Sequence, residues 1–198
     1  MFSLQQLVRK TILELQPYTS ARSEYSASEG IFLDANENPY GTCNRYPDPL
    51  QHAGKEKLGT LKSIPAGNIF IGNGSDEIID LVFRIFCRPG MDKAMIFTPT
   101  YGMYEVAAAI NDTALIKVPL DEHFQIDLTT LLPLLEKEQP KLLFICSPNN
   151  PTGNCLDGIL PVLQQFKGIV VLDEAYIDFA DRPSFVSQIE DYRNLLVV

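Results

Sequence analysis

The chain has 198 residues, 45% of them hydrophobic and 21% charged, which suits one domain with a sizeable core, or one domain with a smaller attachment, and excludes a disordered chain. A formal net charge of -9, with no basic cluster interleaved with aromatics, excludes nucleic acid as a partner. Nowhere do about 18 apolar residues run together, so no membrane span is expected, and an amphipathic N-terminus without an apolar signal core points to the cytoplasm.

In chain order, Leu4, Leu7, Val8, Ile12 and Leu15 recur at helical spacing and predict an amphipathic helix from Ser3 to about Leu15, stopped by Pro17. The stretch from Pro17 to Pro49 is rich in Pro, Ser, Asn and Gly and reads as a long connection. An alternation follows: a helix near Leu50 to Lys62, the strand "NIFIG", a helix from Ser75 to Phe86 and the strand "KAMIF". Next come a helix around Tyr101 to Ile110, the strand "ALIKV", a helix near Leu128 to Glu138 and the strand "KLLFIC". A weaker helix near Leu156 to Phe166, the strand "GIVVL" and the run "NLLVV" complete the series. Such alternation predicts an α/β domain, doubly wound, with a mostly parallel sheet covered on both faces.

Four cysteines lie far apart without a CxxC pair, and His52 and His123 are the only histidines. Free thiols and no zinc site are expected.

In open α/β sheets the ligand site lies at the carboxyl ends of the strands, which selects four loops. "GNGSDEIID" sets glycines and Ser75 at the start of the strongest helix. It reads either as a capped helix, with Ser75 as N-cap and Asp76 and Glu77 in the first turn, or as N-H groups facing a phosphate. "TPTYG" places Tyr101 where an aromatic face can meet a ring, although a core or surface tyrosine is the plainer reading. "SPNNPTGN" is a rigid turn that can present an asparagine amide. "GIVVLDEAY" releases Asp173 at a strand end and Tyr176 one turn later. A carboxylate there can keep a pyridine nitrogen protonated, and a tyrosine can hold the phenolic oxygen of the same ring.

"LQPYTSAR", "LDANENPYG", "NRYPDP", "GNGSDEIIDL", "PTYGMY", "SPNNPTGN" and "LDEAYIDF" together resemble the fold type I pyridoxal-phosphate (PLP) aminotransferases of the class I/II branch. Within that branch the chain is similar to the histidinol-phosphate aminotransferases. The resemblance implies a large PLP-binding domain, present here as its N-terminal portion over 49–198, and an arm over 1–48 that belongs to the small domain.

It further implies that Ser75 and Asp76 offer backbone N-H groups to the cofactor phosphate, that Tyr101 stacks on the ring, and that Asn150 and Tyr176 bind the phenolic oxygen. Asp173 would pair with the ring nitrogen, and Tyr46 would reach the phosphate of a neighbouring subunit in a homodimer. Tyr18 and Asn36 match substrate-side positions. The implied reaction is transamination between histidinol phosphate or imidazole-acetol phosphate and 2-oxoglutarate or glutamate, in L-histidine biosynthesis. Another class I/II aminotransferase, a threonine-phosphate decarboxylase, or a non-catalytic domain binding PLP or a partner are the alternatives. The family's Schiff-base lysine has no counterpart up to Val198, so the chain reads as a truncated form, inactive alone.

Overall fold

The computed structural model describes residues 3–19, 31, 33, 35–43 and 46–198. Two compact units divide the chain: one runs up to Leu13 and resumes over Gly72–Val198, the other is Glu14–Ile71. The smaller unit holds helix α3 (His52–Lys62) and a 3-10 turn, Ala66–Asn68.

In the larger unit α1 (Leu4–Leu7) and α2 (Lys10–Leu13) precede α4 (Gly74–Phe86). Then β1 (Lys93–Thr98), α5 (Met103–Ile110), β2 (Ala114–Pro119), α6 (Leu128–Glu138) and β3 (Leu142–Cys146) alternate. They are followed by α7 (Ile159–Gln165), β4 (Ile169–Asp173) and β5 (Leu195–Val197). The five strands pair in the order β2-β1-β3-β4-β5, every pair parallel. The chain leaves β1 for β2 on one side and returns to β3 on the other, which makes the sheet doubly wound and opens a crevice at the carboxyl ends of β1 and β3.

Side chains alternate across the pleat and build two cores. Ala94, Ile96, Leu142, Phe144 and Val171 meet Ile79, Phe83 and Phe86 of α4 and Tyr104 and Ala107 of α5. Met95, Phe97, Leu143, Ile145, Val170 and Leu172 meet Leu131 and Leu135 of α6 and Val162 and Leu163 of α7. Strands covered on both faces need the near-continuous apolar runs that "LLFIC" and "IVVLD" supply.

Two expected elements differ. The single N-terminal helix is broken at Val8, whose backbone is extended. The break lets the Arg9 N-H bond the Ile85 carbonyl at 2.9 Å and the Arg9 guanidinium bond the Arg84 carbonyl at 2.9 Å, which satisfies two of the carbonyls orphaned at the end of α4. "NIFIG" forms no strand: Asn68 ends the 3-10 turn and Ile69 to Gly72 carry no ladder. β-Propensity makes a strand only against a partner, and none pairs with this segment among the described residues.

Gly168, two residues after Phe166, the C-cap of α7, is required by a close approach. A Cβ there would stand 2.6 Å from the Lys141 carbonyl oxygen and closer still to the Phe166 ring, and the same carbonyl accepts the Ile169 N-H at 2.9 Å. Gly168→Ala is expected to cost about 1–3 kcal/mol, read as a lowered urea midpoint. An unchanged midpoint would show that the β3–β4 entry can widen freely.

Candidate active site

The carboxyl edge of the sheet gathers three loops and one helix start. β4 ends in Asp173, only 3% exposed. Its Oδ2 accepts the Tyr104 hydroxyl at 2.6 Å, its Oδ1 accepts the Ala175 N-H at 3.1 Å, and its carbonyl accepts the Ser147 N-H at 2.9 Å. The β3–β4 register sets Cys146 opposite Asp173, so the loop after β3 starts beside the carboxylate.

That loop is held by Asn149. Its side-chain amide donates to the Pro99 carbonyl at 3.0 Å and the Thr152 hydroxyl at 2.7 Å, and its oxygen accepts the Thr100 hydroxyl at 3.2 Å. Asn149 therefore spends its whole side chain tying the loop after β1 to the loop after β3. Asn150 next to it makes no side-chain hydrogen bond among the described residues, and with Tyr176 it lines a cavity of about 750 Å³ that also takes in Gln125, Asn154 and Arg182.

Tyr101 faces the start of α4: its hydroxyl donates to Asp76 Oδ1 at 3.0 Å. That bond, with smaller contributions from burial and from the nearby Asp76, Asp173 and Tyr176, raises the Tyr101 pKa. The Tyr101 ring sits edge-on to Tyr104, centroids 5.7 Å apart at 87°, which fixes its plane.

The N-cap of α4 is Asn73, not Ser75, and it makes no side-chain cap bond. Glu77 folds back onto the Asn73 N-H at 2.5 Å and Asp76 is drawn to Tyr101, so the two first-turn acids are engaged at the sides. The first-turn N-H groups, with no carbonyl one turn behind them, remain as donors.

The structure thus brings Ser75, Asp76, Tyr101, Asn150, Asp173 and Tyr176 to one edge. Tyr18, Asn36 and Tyr46 belong to the smaller unit, where Tyr18 and Tyr46 are 92% and 72% exposed and the Tyr46 N-H donates to Glu37 at 2.8 Å. Two residues that pattern reading passed over are Tyr104, which lies at helical spacing like any core aromatic, and Asn149, whose only signal is the doubled Asn. The lysines at the strand starts lie at the opposite edge: Lys93 pairs with Glu138 at 2.9 Å and Lys141 with Asp92 at 3.3 Å. Among the described residues no cluster could hold a metal ion, and no helix is long and apolar enough to cross a membrane.

The family described as aminotransferase class I and II matches residues 26–198. A histidinol-phosphate aminotransferase of Cytophaga hutchinsonii is 53% identical over 204 residues, covering 100% of this chain and 58% of that relative. One of Bacteroides fragilis (strain YCH46) is 52% identical, with the same coverage of both. The chain therefore spans 58% of the length of these curated relatives.

Among solved structures, the histidinol-phosphate aminotransferase from Clostridium acetobutylicum superposes with a TM-score of 0.67 at 28% identity, covering 77% of this chain and 46% of that one. The histidinol-phosphate aminotransferase from Sinorhizobium meliloti in complex with pyridoxal-5'-phosphate gives a TM-score of 0.67 at 26% identity, over 77% and 43%. Since the family match runs through every loop just described, from the start of α4 to the turn after β4, the chain belongs to the class I and II aminotransferase family.

Proposed function

We propose that this chain supplies the PLP-binding part of a cytoplasmic, homodimeric aminotransferase that moves an amino group between histidinol phosphate and 2-oxoglutarate in L-histidine biosynthesis. The observation that carries the reading is Asp173, a buried carboxylate at the carboxyl edge of the sheet, at one site with Tyr101, Asn150 and Tyr176.

These residues fit PLP by the chemistry of their donors and acceptors. An ionised carboxylate offers about four lone-pair sites, and two protein donors leave Asp173 able to accept another. The Asn150 amide and Tyr176 hydroxyl are unspent among the described residues, as a ligand's phenolic oxygen would require. The N-H groups of Ser75 and Asp76 suit a phosphate at the start of a 13-residue helix.

When bound, PLP supplies a protonated pyridine ring that withdraws the electrons left when a substrate Cα-H bond breaks. In that setting Asp173 holds the proton at the ring nitrogen, Tyr101 offers a fixed face, and Asn150 and Tyr176 hold the oxygen side. Tyr46 would serve the partner subunit's phosphate site, Tyr18 and Asn36 the substrate, and the arm over 1–48 the small domain.

The test is an assay of the whole gene product. Histidinol phosphate with 2-oxoglutarate should yield glutamate. Carbon dioxide release from threonine phosphate, with no glutamate formed from histidinol phosphate, would overturn the proposed substrate.

A further inference from the structure

We propose that Tyr104 is the positioning residue of Asp173: its hydroxyl fixes the carboxylate in place and keeps it ionised, so that Asp173 can hold a protonated ring nitrogen. The inference rests on the cofactor reading above and adds to it a residue that touches no ligand.

The geometry leaves Tyr104 little freedom. It is 0% exposed, its ring stacks on Phe144 with centroids 5.0 Å apart at 25°, and Phe144 stacks in turn on Phe83 at 5.1 Å. Three aromatics from α5, β3 and α4 therefore set where the hydroxyl lies, and it lies 2.6 Å from Asp173 Oδ2.

Burial disfavours a charged carboxylate, and hydrogen bonds to its oxygens favour it. Among the described residues no lysine, arginine or histidine forms an ion pair with Asp173, and the donors its carboxylate oxygens accept are the Tyr104 O-H and the Ala175 N-H. The direction of the short bond is settled too: burial first, then the neighbouring Cys146 and Asp173, push the Tyr104 pKa far up. The phenol keeps its proton and donates.

Among the described residues the other titratable side chains around Asp173 are Cys146 on β3, Tyr101 after β1, with Asp76 bound to it, and Tyr176 in its own loop, while β5 brings only the apolar Val197 and Val198 to this end of β4. Glu174 next along the chain is turned away, accepting the Ser184 hydroxyl and the Phe185 N-H. Phenols and thiols ordinarily titrate well above the acid range.

Pyridoxamine 5'-phosphate is the probe, because it carries its own amine and needs no lysine to attach. Its affinity for the whole gene product is measured against pH for wild type, Tyr104→Phe, Asp173→Asn and the double variant. The acid limb of the Tyr104→Phe profile is expected to move up by about one pH unit relative to wild type, with the ligand's own titrations common to both. In the Asp173→Asn background, Tyr104→Phe is expected to change affinity less than about twofold, since the coupled pair is already broken.

Should Tyr104→Phe not fold, 3-fluorotyrosine at position 104 keeps the shape, donates more strongly and is expected to move the limb to lower pH. An acid limb that stays in place in whichever of these variants folds, or an equal loss in the Asp173→Asn background, overturns the inference alone. Absence of binding by wild type at every pH overturns the cofactor reading and this inference with it.

Discussion

Asp173→Asn is expected to lower the affinity of the whole gene product for pyridoxamine 5'-phosphate by about two to three and a half orders of magnitude while the sheet stays folded. The asparagine has nearly the same shape, and its oxygen can still accept from Tyr104, so the packing around the end of β4 is retained. What is lost is the negative charge. At a site only 3% exposed, leaving a cationic partner without its counter-charge costs about 3–5 kcal/mol, and each 1.4 kcal/mol is tenfold in binding. Equilibrium dialysis gives the affinity, and an amide fingerprint spectrum shows whether the fold is unchanged. A loss under fivefold with an intact spectrum would remove Asp173 from the role proposed for it. The substitution also separates the ring-nitrogen contact from the phosphate contacts, because the N-H groups at the start of α4 are untouched by it.

Much of this site was legible in the sequence because its chemistry sits where regular structure stops. "GIVVL" is apolar without alternation, as a strand buried on both faces must be, so the acid that ends it marks the sheet's carboxyl edge. The strong apolar face of Ser75 to Phe86 likewise fixed where a helix begins, to within one residue of the observed Gly74.

Tyr104 was not legible, since its role needs the β3–β4 register and the stack on Phe144, neither of which leaves a local trace. Asn149 and Asn150 are the same residue type in one turn, and only the bonds to Pro99, Thr100 and Thr152 tell the strut from the residue left free. The break at Val8 and the failure of "NIFIG" to form a strand have one cause. In both, a tertiary partner, present in one case and missing in the other, decides what local propensity leaves open.

Asp92→Asn is expected to be the most destabilising of the single polar substitutions, by about 3–5 kcal/mol at neutral pH, a large share of the 5–15 kcal/mol typical of a domain. Asp92 stands at the amino edge of the sheet with its side chain 8% exposed, bonded twice by the Arg88 guanidinium at 2.9 Å and by the Arg88 N-H at 2.7 Å. Lys141 lies 3.3 Å away, its side chain 18% exposed, and its ammonium also donates to the Leu7 and Phe86 carbonyls. One carboxylate thus joins the N-terminal segment, the end of α4 and the entries to β1 and β3, and removing its charge leaves Lys141 half-buried without a counter-ion.

The exposed pair Lys117–Glu105, with side chains 48% and 58% exposed, should cost under about 1 kcal/mol when broken. Burial alone would push the Asp92 pKa up, but the Arg88 bonds and the Lys141 charge outweigh it and hold it at about 2. A carboxyl depressed in the folded state contributes stability that is complete above its unfolded pKa, near 4, and is lost as pH falls toward 2. The gap in urea midpoint between wild type and Asp92→Asn should therefore be constant from pH 7 to pH 5 and narrow below pH 4. A gap that is absent at pH 7, or that widens on acidification, would show that this cluster does not hold the amino edge together.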